Sequence, residues 1–252
     1  MSTTLTARPR YHILDTVRGI CIILVVLYHL LYDLSEVFGG HYAFFRSHGM
    51  DVFRDHFVGV LIVLAGISCN LTRSDLKRGV KTVLCGILVA AVTSVAMPGS
   101  NIVFGILHFL GTGMILHGLS RKVLAKIPMA VGIPVSLILF LLTLGISEGF
   151  FGWPEVFTLE IPTLPKNTLL YILGFDTGHD PADHWPVMPW MFLFLTGTFL
   201  GRLFKDHKVP RWFRSDPVPP LSFLGRHTLI IYLVHQPLIY GTLYLLDRAG
   251  LI

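Results

Sequence analysis

The sequence predicts an all-α protein: a polytopic integral membrane helix bundle, with about seven transmembrane helices plus a short re-entrant or interfacial segment. Three observations predict it. Of 252 residues, 53% are hydrophobic and only 14% are charged, with mean hydropathy +0.67, which excludes an ordinary soluble domain. Apolar runs of spanning length recur along the chain. Lysine and arginine alternate from one side of these runs to the other.

The runs cover about 12–34, 52–71, 79–97, 102–119, 127–146, 187–204 and 221–246, with ends good to a few residues. An eighth apolar piece, Thr168–Phe175, is too short to cross alone. With seven crossings, one side holds Arg8, Arg10, Arg73, Lys77, Arg78, Lys81, Arg121, Lys122, Lys126, Arg202, Lys205, Lys208, Arg211 and Arg214. The other side holds Arg46, Arg54, Lys166 and Arg248. This bias predicts an inside N-terminus and an outside C-terminus. It also accounts for the net charge of +5, so no nucleic-acid partner is expected. Residues 1–10 are polar and the first run lacks a small-residue cleavage site, so that run reads as a span rather than a cleavable signal. Cys21, Cys69 and Cys85 sit in apolar runs, without metal-ligand spacing or a disulfide framework, and read as small buried hydrophobes.

The first run is the most informative. Within it Asp15, Arg18, His29 and Asp33 fall within about 60° of arc at 100° per residue, so they share a helix face. Ionisable groups are costly in hydrocarbon, so this face must turn to a protein interior or a wet cavity. Arg18 and His29 lie about 16 Å apart along the axis, which puts a cation near one end of a span and an imidazole towards the other. Asp15 is also spaced to pair with Arg18.

The first outer loop adds His41 and His48, and Asp51, Arg54, Asp55 and His56 open the second run, with Arg54 spaced to pair with Asp51 or to neighbour Asp55. The fourth run places His108 among Gly105, Gly111 and Gly113, glycines that suit close helix packing, as do Gly197 and Gly201 in the sixth. Pro189 opens that sixth run. The last run carries Arg226, His227, His235 and Gln236, and Pro237 predicts a break in its helix. The segment 147–186 is long, irregular and acidic, with Glu148, Glu155, Glu160, Asp176, Asp180 and Asp183, and loops of that length are candidates for function.

Leu14-Asp15-x-x-Arg18-Gly19 with His29 eleven residues after the arginine resembles the opening helix of the transmembrane acyltransferases, where acyltransferase family 3 shows an Arg-x10-His pattern. The whole chain is similar to a bacterial branch grouped with the catalytic domain of heparan-alpha-glucosaminide N-acetyltransferase. Further stretches carry that likeness: Leu64–Ser68, Phe104–His108, Pro189-Trp190 with Gly197, Phe223–Thr228, and Tyr232–Pro237.

The resemblance implies one transmembrane acyltransferase-like domain over 1–252, in a bacterial inner (plasma) membrane. It implies an acyl, chiefly acetyl, group moved from cytosolic acetyl-CoA to a hydroxyl or amine of a glycan or amino sugar across the membrane. His29 is the expected base or acyl-accepting nucleophile, with Asp33 placed to fix its ring. In the lysosomal enzyme the position matching His29 is similar to an asparagine and the active histidine lies further on, so His48 or His41 is the alternative. Arg18, Asp15, His108 and Arg226 are the expected acetyl-CoA-binding residues. The lipid bilayer is a further partner, and a second copy of the chain a candidate one. No metal is expected. Two rivals use the same residues: a transporter or flippase with a polar permeation face, and a b-type haem protein ligated by pairs among His29, His108, His117, His227 and His235.

Overall fold

The computed structural model describes residues 10–97, 101–162, 164–175, 177 and 183–251. Asp176 and Asp180 of the acidic segment, and Arg8, lie outside the described residues. The helices are α1 (His12–Tyr32), α2 (His48–Leu71), α3 (Asp75–Ala96), α4 (Ile106–Leu124), α5 (Met129–Leu142), α6 (Thr168–Leu173), α7 (Val187–Lys205), α8 (Pro219–Arg226) and α9 (Thr228–Arg248). A π-helical turn, Asp33–Val37, continues α1, and a hairpin of β1 (Phe150–Trp153) and β2 (Phe157–Glu160) pairs Phe150 with Glu160 and Trp153 with Phe157.

Six helical stretches among the described residues are long and apolar enough to cross a membrane: His12–Val37, His48–Leu71, Asp75–Ala96, Met129–Glu148, Val187–Lys205 and Thr228–Arg248. The expected fourth span falls on α4, a helix of 19 residues whose histidines, glycines and terminal Arg121 and Lys122 make it less apolar. The short eighth piece is α6, only six residues, started by the Asn167 side chain on the Leu169 and Leu170 amides and stopped by left-handed Gly174.

The last expected span differs in two ways. It divides at His227 into α8 and α9, where the backbone leaves helical geometry and Thr228 Oγ1 donates to the Gly225 carbonyl. No break occurs at Pro237, through which α9 runs on. In lipid a helix lacking one hydrogen bond costs less than the many orphaned groups of a broken one.

The chain divides into two compact units, Met1–Leu61 with Val209–Ile252, and Ile62–Lys208. In the first, α1 packs on α8 and α9. Its polar residues turn towards these helices, while Ile20, Ile23 and Leu27 form an exposed apolar stripe on the opposite side. Close approach rests on two glycines: a Cβ at Gly19 would strike the Leu221 carbonyl, and one at Gly225 the Asp15 carbonyl. Thr16 and Ser222 hydroxyls meet at 2.9 Å across the same contact, and Ser222 Oγ also donates to Asp216 at 2.5 Å. With no hydrophobic drive between helices in lipid, close packing and such bonds hold them together.

In the second unit α3 packs on α4 and α5 on α7. Ser136 and Thr196 hydroxyls lie 2.8 Å apart across α5 and α7, and Asn70 donates to the Thr198 carbonyl at 2.7 Å. The acidic segment is partly structural: Asp183 Oδ2 accepts from the Ile106 amide at 3.3 Å, starting α4, and Glu155 accepts from the Trp153 indole at 2.9 Å. A cavity of about 610 Å³ opens there, lined by Glu148, Phe150, Thr158, Glu160, Leu164 and Phe175 among others. None of the sequence-predicted site residues lines it.

Candidate active site

The first unit carries polar groups at both ends of α1. At the N-terminal end Asp15 is buried and accepts from Arg10 Nε at 2.7 Å and from an Arg18 terminal nitrogen at 2.8 Å. The Asp15–Arg18 pair follows directly from its three-residue spacing. Arg18 keeps 22% of its side chain exposed. Arg226 is exposed, its guanidinium 5.8 Å from the centre of the Phe223 ring.

At the C-terminal end the His29 ring meets the His235 ring edge to face, centroids 4.8 Å apart. Asp33 is fully buried, and Gln236 Nε2 lies 2.8 and 3.0 Å from its two oxygens. Among the described residues no hydrogen bond joins Asp33 to the His29 ring: Gln236 engages the carboxylate, and His235 is the neighbour of the imidazole. The ring-orienting role expected of Asp33 therefore finds no contact to act through.

His235 Nδ1 lies 2.6 Å from the Tyr232 carbonyl. A carbonyl only accepts, so Nδ1 carries the proton and Nε2 of the neutral ring is the basic nitrogen. Tyr28, beside His29 on α1, packs against Phe45, and the Arg54 guanidinium acts on it electrostatically. Arg54 in turn pairs with both Asp51 and Asp55, at 3.1 and 2.9 Å.

The other candidates lie elsewhere. His48 is exposed at the first residue of α2, and His41 is exposed in the preceding loop with a left-handed backbone. Arg46 in that loop pairs with Glu36 at 2.6 Å, and this hydrogen bond raises the guanidinium pKa. His108, in the second unit, stacks on Phe104 and packs over Gly86 of α3.

Sequence reasoning missed two groupings. His235 was a candidate only as a haem ligand and Gln236 only as the flank of a proline, yet His235 meets the His29 ring and Gln236 holds Asp33. The available signal was two polar residues in the middle of an apolar helix, but nothing local in the chain pairs them with α1. In the second unit Cys69, Asp75 and His117, all buried, bring one ligand-type atom each within 4.8 Å of one another. His117 Nδ1 lies 3.0 Å from Asp75 Oδ2, and Thr72 donates to the other carboxylate oxygen at 2.7 Å.

Residues 10–237 match the family described as heparan-alpha-glucosaminide N-acetyltransferase, catalytic. The chain belongs to this family. Comparison with curated proteins and with solved structures gives no match. As a member of the heparan-alpha-glucosaminide N-acetyltransferase catalytic family it is a membrane acyltransferase, in a family that in general uses acetyl-CoA. The matched stretch contains Asp15, Arg18, His29, Asp33, His48, His108, Arg226 and the His235–Gln236 pair.

Proposed function

We propose that this protein moves an acetyl group from cytosolic acetyl-CoA to a hydroxyl or amine of an amino sugar or glycan on the opposite side of the membrane. One observation carries the reading: a single spanning helix has a cation with exposed surface, Arg18, near one end and an imidazole paired with a second imidazole near the other.

His29 is the general base. It removes the proton of the attacking hydroxyl or amine as that atom bonds to the thioester carbonyl carbon; the carbon–sulfur bond breaks and the CoA thiolate leaves. His235 lies beside it, the two rings in edge contact. The anionic donor is met by Arg18, held in place by Asp15, and by exposed Arg226. His48 is the alternative base, by analogy with an active histidine in the first loop.

The alternation of cations supports an inside N-terminus and an outside C-terminus, in a bacterial inner membrane. One family likeness running through residues of both units supports counting 1–252 as one acyltransferase domain. A homodimer is part of the proposal, to be read from the mass of the purified protein.

The test is transfer of labelled acetyl from acetyl-CoA to glucosamine by the purified protein in liposomes. Wild type transfers label, and His29→Ala loses about 10²–10⁴-fold of the rate. Undiminished transfer by His29→Ala removes His29 from the mechanism. Sugar uptake without acetyl-CoA would favour a transporter.

A further inference from the structure

Two consecutive residues of α9 each hold a buried hydrogen-bond acceptor that no donor meets. His235 is 6% exposed, and with its proton committed to the Tyr232 carbonyl its Nε2 has only a lone pair to offer. That Nε2 is buried without a hydrogen-bond partner among the described residues. Gln236 turns its amide nitrogen to the Asp33 carboxylate, which fixes the amide's orientation and directs Oε1 away from that carboxylate. Oε1 is likewise buried and without a partner among the described residues.

A lone orphan acceptor is tolerable as a packing cost. Two such acceptors on consecutive residues of α9, one beside the proposed catalytic imidazole and the other on the side chain that holds Asp33, form a pattern of one polarity, and buried acceptors are ordinarily satisfied. Nothing anionic suits either acceptor: a phosphate or carboxylate oxygen would face a lone pair. A group rich in N–H and O–H donors suits it.

We infer that His235 and Gln236 form the acceptor-sugar subsite, His235 Nε2 receiving a hydrogen bond from a second N–H of the attacking amine or from the hydroxyl next to the attacking group, and Gln236 Oε1 one from a further hydroxyl. The inference rests on the acyltransferase reading and deepens it. It makes His235 a catalytic residue that touches the acceptor, and it separates the acceptor's place from that of the anionic donor.

The experiment is equilibrium binding of tritiated glucosamine to the purified full-length protein in detergent, with galactosamine and N-acetylglucosamine as competitors. Wild type binds at least one of these sugars. His235→Phe keeps the ring bulk but removes the acceptor nitrogen, and weakens glucosamine binding by about tenfold while the KM for acetyl-CoA holds within about twofold. Should His235→Phe not purify as a monodisperse protein, His235→Asn is measured and judged by the same criteria. Unchanged glucosamine affinity in a monodisperse variant overturns the inference, as does wild type that binds none of the three sugars. Wild type that binds glucosamine but transfers no acetyl to it upholds the subsite and sinks the acyltransferase reading. Transfer by His235→Phe with an unaltered KM for glucosamine does the reverse.

Discussion

Gln236 Nε2 lies within hydrogen-bond distance of both carboxylate oxygens of Asp33, at 2.8 and 3.0 Å, and so ties α9 to the end of α1. Asp33 is fully buried, so its oxygens need hydrogen-bond donors, and Gln236 supplies one. Gln236→Leu strands the carboxylate and is expected to cost about 1–3 kcal/mol of stability. Asp33→Leu with Gln236→Leu removes both partners and should cost less than the sum of the single changes. Thermal unfolding of the three variants in detergent checks this; strictly additive losses would show the two side chains to be uncoupled.

Gly225 sets how closely α8 lies on α1. Gly225→Leu would drive a side chain into the Asp15 carbonyl and should abolish recovery of monodisperse protein. Gly241 is the control, because a Cβ there meets nothing within 4 Å. Gly241→Ala should be neutral or stabilising by up to about 1 kcal/mol, since alanine is the better helix former. Equal tolerance of both changes would contradict the packing described.

Arg18 is assigned to the donor. Arg18→Gln should raise the KM for acetyl-CoA by about tenfold or more through loss of a charge-assisted contact, with Arg18→Lys recovering part of it because charge is kept without the planar fork. Steady-state kinetics with varied acetyl-CoA decide it. A KM that moves only for the sugar would reassign Arg18.

Orientation can be read chemically. Ala43→Cys should react with a membrane-impermeant maleimide in intact cells, and Lys77→Cys only after permeabilisation; both positions are exposed. The reverse pattern would invert the cation-bias argument.

What the sequence disclosed followed the range of its signals. The polar face of α1 was legible because helical periodicity is regular, and the Asp15–Arg18 and Asp51–Arg54–Asp55 pairs because they lie within one turn. α6 was legible as too short to span. The pairing of His29 with His235 was not, since it joins helices from opposite ends of the chain. Cys69, Asp75 and His117 escaped because they lie on three successive helices, beyond the reach of any spacing within one helix. Pro237 misled because proline's effect depends on solvent: in water it ends helices, whereas a lipid environment favours continuation.

One arginine serves two purposes. Arg202 belongs to the cation series that reports orientation, and its guanidinium also donates to the Ile127 carbonyl at 2.7 Å and the Leu124 carbonyl at 2.5 Å, while resting 5.0 Å over the Phe199 ring. It thereby staples the short connection from α4 to α5 onto α7. Insertion machinery reads the sign of the charge, whereas the staple needs the forked shape. Arg202→Lys would thus insert the right way round yet leave that corner of the molecule unfastened.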